Sequence, residues 1–170
     1  MIYLLFKGTF IIYLKKNMKN VILILFVIVA SSFVKHNNVK TSSENDIVDM
    51  WWNQEKTSKI KIFLAQNGKY AGKIEWLKEP LDENGNPKVD NKNPNSKLRN
   101  NPRIGLAILK NFVFNTKKNR WENGTIYDPN NGKTYDSYMY FDGNNDKLQL
   151  RGYVLGMPFL GRTSEWERVK

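Results

Sequence analysis

Arginine and aromatic residues recur at fixed offsets near the end of this chain. In residues 161–169, Arg162, Ser164, Trp166 and Arg168 share one face of an extended segment, because side chains alternate across a strand. Upstream lie Trp51, Tyr70, Trp76, Trp121, Tyr127, Tyr135 and Phe141, enough aromatic surface to line a pocket for a small molecule. Tyr70, Trp76, Trp121, Tyr127, Tyr135, Arg162 and Trp166 are the candidate ligand-binding residues: the rings supply contact area, and tyrosine or arginine orients a polar end. The apolar stretch 155–160, with Met157, Phe159 and Leu160, reads as a loop that acts as a lid or touches a membrane or partner.

Catalytic chemistry is poorly supplied. The chain has no cysteine, and its one histidine is His36, outside the strand-rich part. A serine–histidine arrangement and metal sites built from His and Cys therefore lack their components, and no catalytic residue, metal or cofactor is expected. Glu75 with Glu79, and Glu165 with Glu167, read as solvated partners for lysine. The segment from Asp128 to Tyr135 reads as a turn: Asp and Asn bond their own backbone, Pro129 sets φ and Gly132 takes positive φ. Calcium would need more carboxylates at alternate positions. Arg151 falls opposite Leu148 and Leu150, hence on the surface unless a bulge near Gly152 reverses it.

The elements that must position these residues are strands. Turn signals recur at intervals of about ten residues, the spacing of sandwiches and barrels. Predicted strands are 47–54, 58–66, 69–78, 104–111, 121–128, 133–142, 146–154 and 161–169. In the third, Tyr70, Gly72, Ile74 and Trp76 fall on one face, which period two turns inward. Residues 79–102 hold four prolines and seven asparagines, a structured or mobile surface loop. No stretch sustains a 3.6 period with caps, so at most one short helix is expected. The fold class is all-β, an antiparallel up-and-down barrel of about eight strands, closed so that no edge remains exposed.

The N-terminus reads differently. Lys15, Lys16 and Lys19 precede ten apolar residues, 21–30, and then Ser31 and Ser32. That is the layout of a secretory signal peptide over residues 1–32, and the run is short of the ~20 residues that span a bilayer. Met18 heads a complete signal on its own and is the expected true start; one long uncleaved anchor is the alternative. Residues 33–45 read as a polar linker and 46–170 as one barrel domain. The formal charge is +11, of which Lys7, Lys15, Lys16 and Lys19 account for four, leaving +7 for the exported part. The lysines are scattered, so a solvated basic surface fits better than a nucleic-acid site. The expected state is a monomer or weak dimer, periplasmic or extracellular.

Four segments carry a family resemblance over roughly residues 46–170. They are Asp46-Ile-Val-Asp-Met-Trp51, Asn101-Pro-Arg-Ile-Gly-Leu-Ala-Ile-Leu109, Gly124-Thr-Ile-Tyr-Asp-Pro-Asn-Asn-Gly-Lys-Thr-Tyr135, and Leu150-Arg-Gly-Tyr153 with Leu160-Gly-Arg-Thr-x-x-Trp166-x-Arg168. Together they resemble domain of unknown function 2147, a family of small exported bacterial proteins. The resemblance implies a lipocalin-like barrel, an exported location and no established enzymatic activity. It also implies that Arg168 or Arg162 packs across Trp51 to close the barrel's bottom by a cation–π contact. Two departures stand out. Asp49 occupies the place of a glycine before the tryptophan, and Asp90-Asn-Lys-Asn-Pro-Asn95 lacks the Cys-x-x-Cys pair many members carry. The function expected is a non-enzymatic binding module for a small apolar or amphipathic ligand. The alternative is a cell-envelope protein meeting anionic lipid or a partner through its basic surface and apolar loop.

Overall fold

The computed structural model describes residues 41–170; the predicted signal peptide, the two possible starts and His36 lie outside them. Eight strands form one closed antiparallel barrel in sequence order. They are β1 (Met50–Trp52), β2 (Ser58–Leu64), β3 (Tyr70–Leu77), β4 (Ala107–Asn115), β5 (Arg120–Asp128), β6 (Lys133–Phe141), β7 (Lys147–Val154) and β8 (Met157–Arg168). Closure is the pairing of Trp51 with Arg168 and of Trp52 with Glu167.

The two ends differ. At one, large side chains from most strands meet in a solid plug. Ile47, Trp51, Ile62, Phe112, Trp121, Met139 and Leu148 are buried there, and the Trp51 and Trp121 rings lie 6.0 and 5.5 Å from Phe141. Each such side chain contributes about 1.5–3 kcal/mol by leaving water. Toward the other end the inward residues become small: Ser137 on β6, Gly152 on β7 and Ser164 on β8 share adjacent registers. Plug and hollow are thus written into one alternation, large below and small above.

Several boundaries differ from the sequence reading. β1 is only three residues long, because residues 44–47 turn instead of extending: Asp46 Oδ2 accepts the Ser43 N–H at 3.0 Å, and Ile47 drops into the plug. β4 begins and ends later than 104–111; Gly105 at φ +88° breaks the chain before it, and the positive φ of Asn111 is absorbed as an irregularity within the strand. The stretch 155–160 is not a loop. Leu155 and Gly156, both at positive φ, make the hairpin turn, and β8 starts at Met157. Pro158, Phe159 and Leu160 then bulge, since Val154 pairs with Met157 while Tyr153 pairs with Gly161. Arg151 pins this bulge from outside, donating from Nε to the Pro158 carbonyl at 2.7 Å and from Nη1 to Thr163 Oγ1 at 2.9 Å.

The long loop between β3 and β4 is structured. Leu81 bridges to Pro87, Val89 bridges to Pro102, and a 3₁₀ turn (Ser96–Leu98) is capped by Asn95. Asp90 is fully buried beneath it. The loop also presses on the β5–β6 turn, where a Cβ on Gly132 would lie 2.0 Å from the Lys92 carbonyl oxygen. Only glycine fits there, on space and on its φ of +72°.

Candidate functional site

The open half of the barrel is a cup with a cavity of about 930 Å³. Ile60, Ile74, Ile108, Ile126, Leu150 and Trp166 form its apolar walls and floor. Polar groups crowd the rim: Asn53 and Thr57 after β1, Lys78, Glu79, Lys88 and Arg103 around the long loop, Asn130 and Asn131 in the β5–β6 turn, and Arg162 on β8. Apolar walls with a few polar groups at one end suit a ligand with an apolar body and a polar tip.

Most rim charges are already engaged. Lys88 pairs with Glu79 at 3.2 Å. Arg103 donates to the Val89 carbonyl at 3.1 Å, the Pro129 carbonyl at 3.0 Å and Asn130 Oδ1 at 2.7 Å. Asp128 accepts the Asn130 N–H at 2.9 Å and Asn131 Nδ2 at 2.8 Å. Tyr127 borders the cavity, but its hydroxyl donates to Asp90 Oδ1 at 2.7 Å. Burial, then the bond to and charge of Asp90, push the Tyr127 phenol up to about 12.

The candidate ligand-binding residues therefore separate into four groups. Tyr135, Arg162 and Trp166 line the cup, and Leu160 joins them from the bulge. Tyr127 ties down the long loop. Tyr70 and Trp121 are buried in the plug, away from the cup: the Tyr70 hydroxyl donates to Asn45 Oδ1 at 3.0 Å and Trp121 Nε1 to the Glu44 carbonyl at 2.8 Å. They face inward but at the closed end, where they anchor the segment before β1. Trp76 is on the outer face. Ile60 pairs with Ile74 and Lys59 with Trp76, so Glu75 is an extra residue that slips the alternation by one. Outside, Trp76 meets Trp52 edge-on at 5.4 Å with the Lys59 ammonium 4.6 Å from the Trp52 ring. Of the apolar stretch, Phe159 is 75% and Leu155 79% exposed, while Met157 is half-buried beside Val154.

At the closed end Arg168, not Arg162, covers Trp51, its Cζ 4.4 Å from the ring centroid. Its guanidinium also meets Asp49 at 2.5 Å and Asp146 at 3.2 Å and donates to the carbonyls of Asp46 and Asn145. Asp49, conspicuous in the sequence only as a replaced glycine, is thus an ion partner of the closing arginine. Burial raises its carboxyl, but the Met50 N–H and Arg168 outweigh that and hold it below the ordinary aspartate value. Two further groupings were not read from the sequence: Asp90 with Tyr127, whose members come from distant segments, and Glu122 with Arg120, Lys118 and Asn115, which the β4–β5 hairpin brings together within eight residues.

A closed eight-stranded antiparallel barrel, plugged at one end and hollow at the other, defines a lipocalin-like protein. The chain belongs to the family described as an uncharacterized protein conserved in bacteria (DUF2147), whose model matches residues 49–168. Among solved structures it is similar to protein HP1028 from the human pathogen Helicobacter pylori, described as belonging to the lipocalin family. Identity is 26% and the TM-score 0.59, over 72% of this chain and 82% of that one. No curated protein matches the chain.

Proposed function

We propose that the chain is a non-enzymatic binding module that holds a small apolar or amphipathic molecule in its cup. The observation that carries this reading is the cavity of about 930 Å³ with isoleucine, leucine and tryptophan walls beneath a polar rim. Its volume falls in the range of small-molecule sites, about 300–1,000 Å³. The reading includes export to the periplasm or exterior, which the basic and apolar N-terminus supports. The neutral dye N-phenyl-1-naphthylamine tests the cup. Its fluorescence should rise on mixing with the protein, and Ser164→Phe, which projects a ring into the cavity, should weaken the effect about tenfold, the scale of losing one well-packed contact. An absent signal, or one indifferent to Ser164→Phe, would count against the cup. Export predicts a mature form lacking residues 1–32, checked by N-terminal sequencing of the extracytoplasmic fraction.

A second reading rests on the β7–β8 hairpin. Leu155 and Phe159 are more than two-thirds exposed at the mouth, on a bulge that Arg151 holds in place. Such an apolar tip suits peripheral contact with an anionic membrane. Phe159→Ser should reduce co-sedimentation with phosphatidylglycerol vesicles, and no sedimentation of the unaltered protein would exclude this lipid version.

A further inference from the structure

Among the described residues two cations of the mouth, Lys78 and Arg162, have no acceptor, and of these only Arg162 lies within a strand; Lys78 follows the end of β3 on the exposed rim. Arg103 and Lys88 have acceptors within the protein, whereas the Arg162 guanidinium has no hydrogen bond or ion pair among the described residues. It nevertheless lines the cup on the inner face of β8, one turn of alternation above Ser164 and Trp166. A guanidinium is a planar fork that matches a carboxylate with two parallel hydrogen bonds.

The residues beside it complete a receptor for that group. On β7 the register partner of Arg162 is Gly152. A Cβ built there would lie 3.5 Å from Ile126 Cγ2 and 3.7 Å from Tyr135 Cβ, ordinary contacts pointing into the cup. The missing side chain leaves a slot between Arg162 on one side and Tyr135 on the other. The Tyr135 hydroxyl accepts from Asn131 Nδ2 at 3.1 Å. With its oxygen engaged as acceptor, its own proton is left to donate. Of the carboxylates around the cup, Glu79 is paired with Lys88, whereas Glu55 and Asp128 are bonded by neutral amides, of Asn53 and of Asn130 and Asn131. Below the slot Ile126, Leu150 and Trp166 present apolar surface, and the Ser164 hydroxyl among them donates to the Leu150 carbonyl at 3.5 Å.

We infer that the cup selects a long-chain monocarboxylate, its head held across Gly152 between Arg162 and Tyr135 and its tail on the apolar floor. The inference rests on the cup being a ligand site and names the ligand's chemistry. One guanidinium and one phenol answer a single negative charge; a phosphate monoester would bring a second charge toward Asp128.

Displacement of N-phenyl-1-naphthylamine from the full chain separates the possibilities, with laurate, dodecanol and dodecyl phosphate compared below their micellar concentrations. Laurate should displace the dye at a concentration about tenfold lower than dodecanol, the low end of what a hydrogen bond to a charged group supplies, because Arg162 is exposed at the mouth. In Arg162→Met the laurate-to-dodecanol ratio should collapse toward one, and Gly152→Leu should weaken laurate more than dodecanol. The melting temperature of each variant reports whether it still folds; Arg162 has no partner to lose. Dye binding with equal displacement by laurate and dodecanol overturns the carboxylate assignment and leaves the cup standing. Dodecyl phosphate displacing more strongly than laurate overturns it too. Absence of binding by the dye and by all three chains overturns both readings.

Discussion

Arg168 joins three elements at one point: β8, the turn before β1 and the β6–β7 turn, with Trp51 beneath it. Its side chain is 21% exposed against 41% for that of Asp49, so the pair is partly desolvated and screening weakens it only in part. Arg168→Met keeps the stem on Trp51 but strands four acceptors, and we expect a loss of about 2–4 kcal/mol, nearer the buried than the surface range. The midpoint of urea unfolding measures it; a change within the error of the wild type would assign closure to the plug alone. Gly124 makes a second residue-scale point. A Cβ there would fall 2.4 Å from the Phe112 ring, so Gly124→Ala must displace a buried aromatic, at about 1–3 kcal/mol for overpacking. Gly152→Ala meets contacts of 3.5 and 3.7 Å and should be close to neutral in the same assay, which separates crowding from a general effect of losing glycine.

At the scale of elements, the long loop is held by a phenol and a buried carboxylate. Tyr127 has a folded pKa pushed up to about 12, against an ordinary 10.0. The folded state therefore keeps this proton more tightly than the unfolded one. Its contribution to stability is complete below pH 10 and declines as pH rises toward 12. Tyr127→Phe should lose this part of the alkaline slope in near-ultraviolet circular dichroism. At neutral pH it leaves Asp90 with one donor fewer, an expected loss of about 1–3 kcal/mol. Trypsin should then cut faster at Lys92 and Lys97, and unchanged cleavage would mean the loop is held elsewhere. This clamp marks where sequence reading stops. The alternation of Ile60 and Ile62 with lysines, and the Asn67-Gly68 turn, made β2 and β3 legible from composition and period alone. The side of Trp76 was not legible, because one extra residue at Glu75 reverses it and a bulge leaves no mark in the hydrophobic pattern. Arg162 and Trp166 were legible as neighbours on a face, whereas which half of the barrel each aromatic occupies depends on register across strands. The Asp90–Tyr127 bond spans 37 positions, and nothing local announces it.

For the whole molecule, charge and the absence of cross-links set the response to acid. With no cysteine anywhere in the chain, the barrel depends on its plug, its hydrogen-bond ladder and its ion pairs. Two partly buried carboxylates are held below their ordinary values: Asp49, and Glu122, where bonds from Asn115, Arg120 and Lys118 outweigh the effect of burial. A carboxyl whose folded pKa is lowered stabilises the fold fully above its unfolded value, and that contribution is lost as pH falls through the folded value. The ordinary values are 3.8 for Asp49 and 4.5 for Glu122, so the loss begins near pH 4.5 and deepens below 3.8. Over the same window a chain with formal charge +11 sheds its remaining negative charge, and self-repulsion adds to the loss. Thermal melts should therefore show a steady fall in melting temperature from pH 5 to pH 3. Salt at ~0.3 M should restore part of it, because repulsion between exposed charges is screened beyond a Debye length of under ~10 Å. Asp49→Asn should start lower at neutral pH and fall less steeply, since the variant has already lost one of the two carboxylates that pair with Arg168. A melting temperature that stays flat from pH 5 to pH 3, with or without salt, would show that the plug alone carries the barrel and that its ion pairs are ornamental.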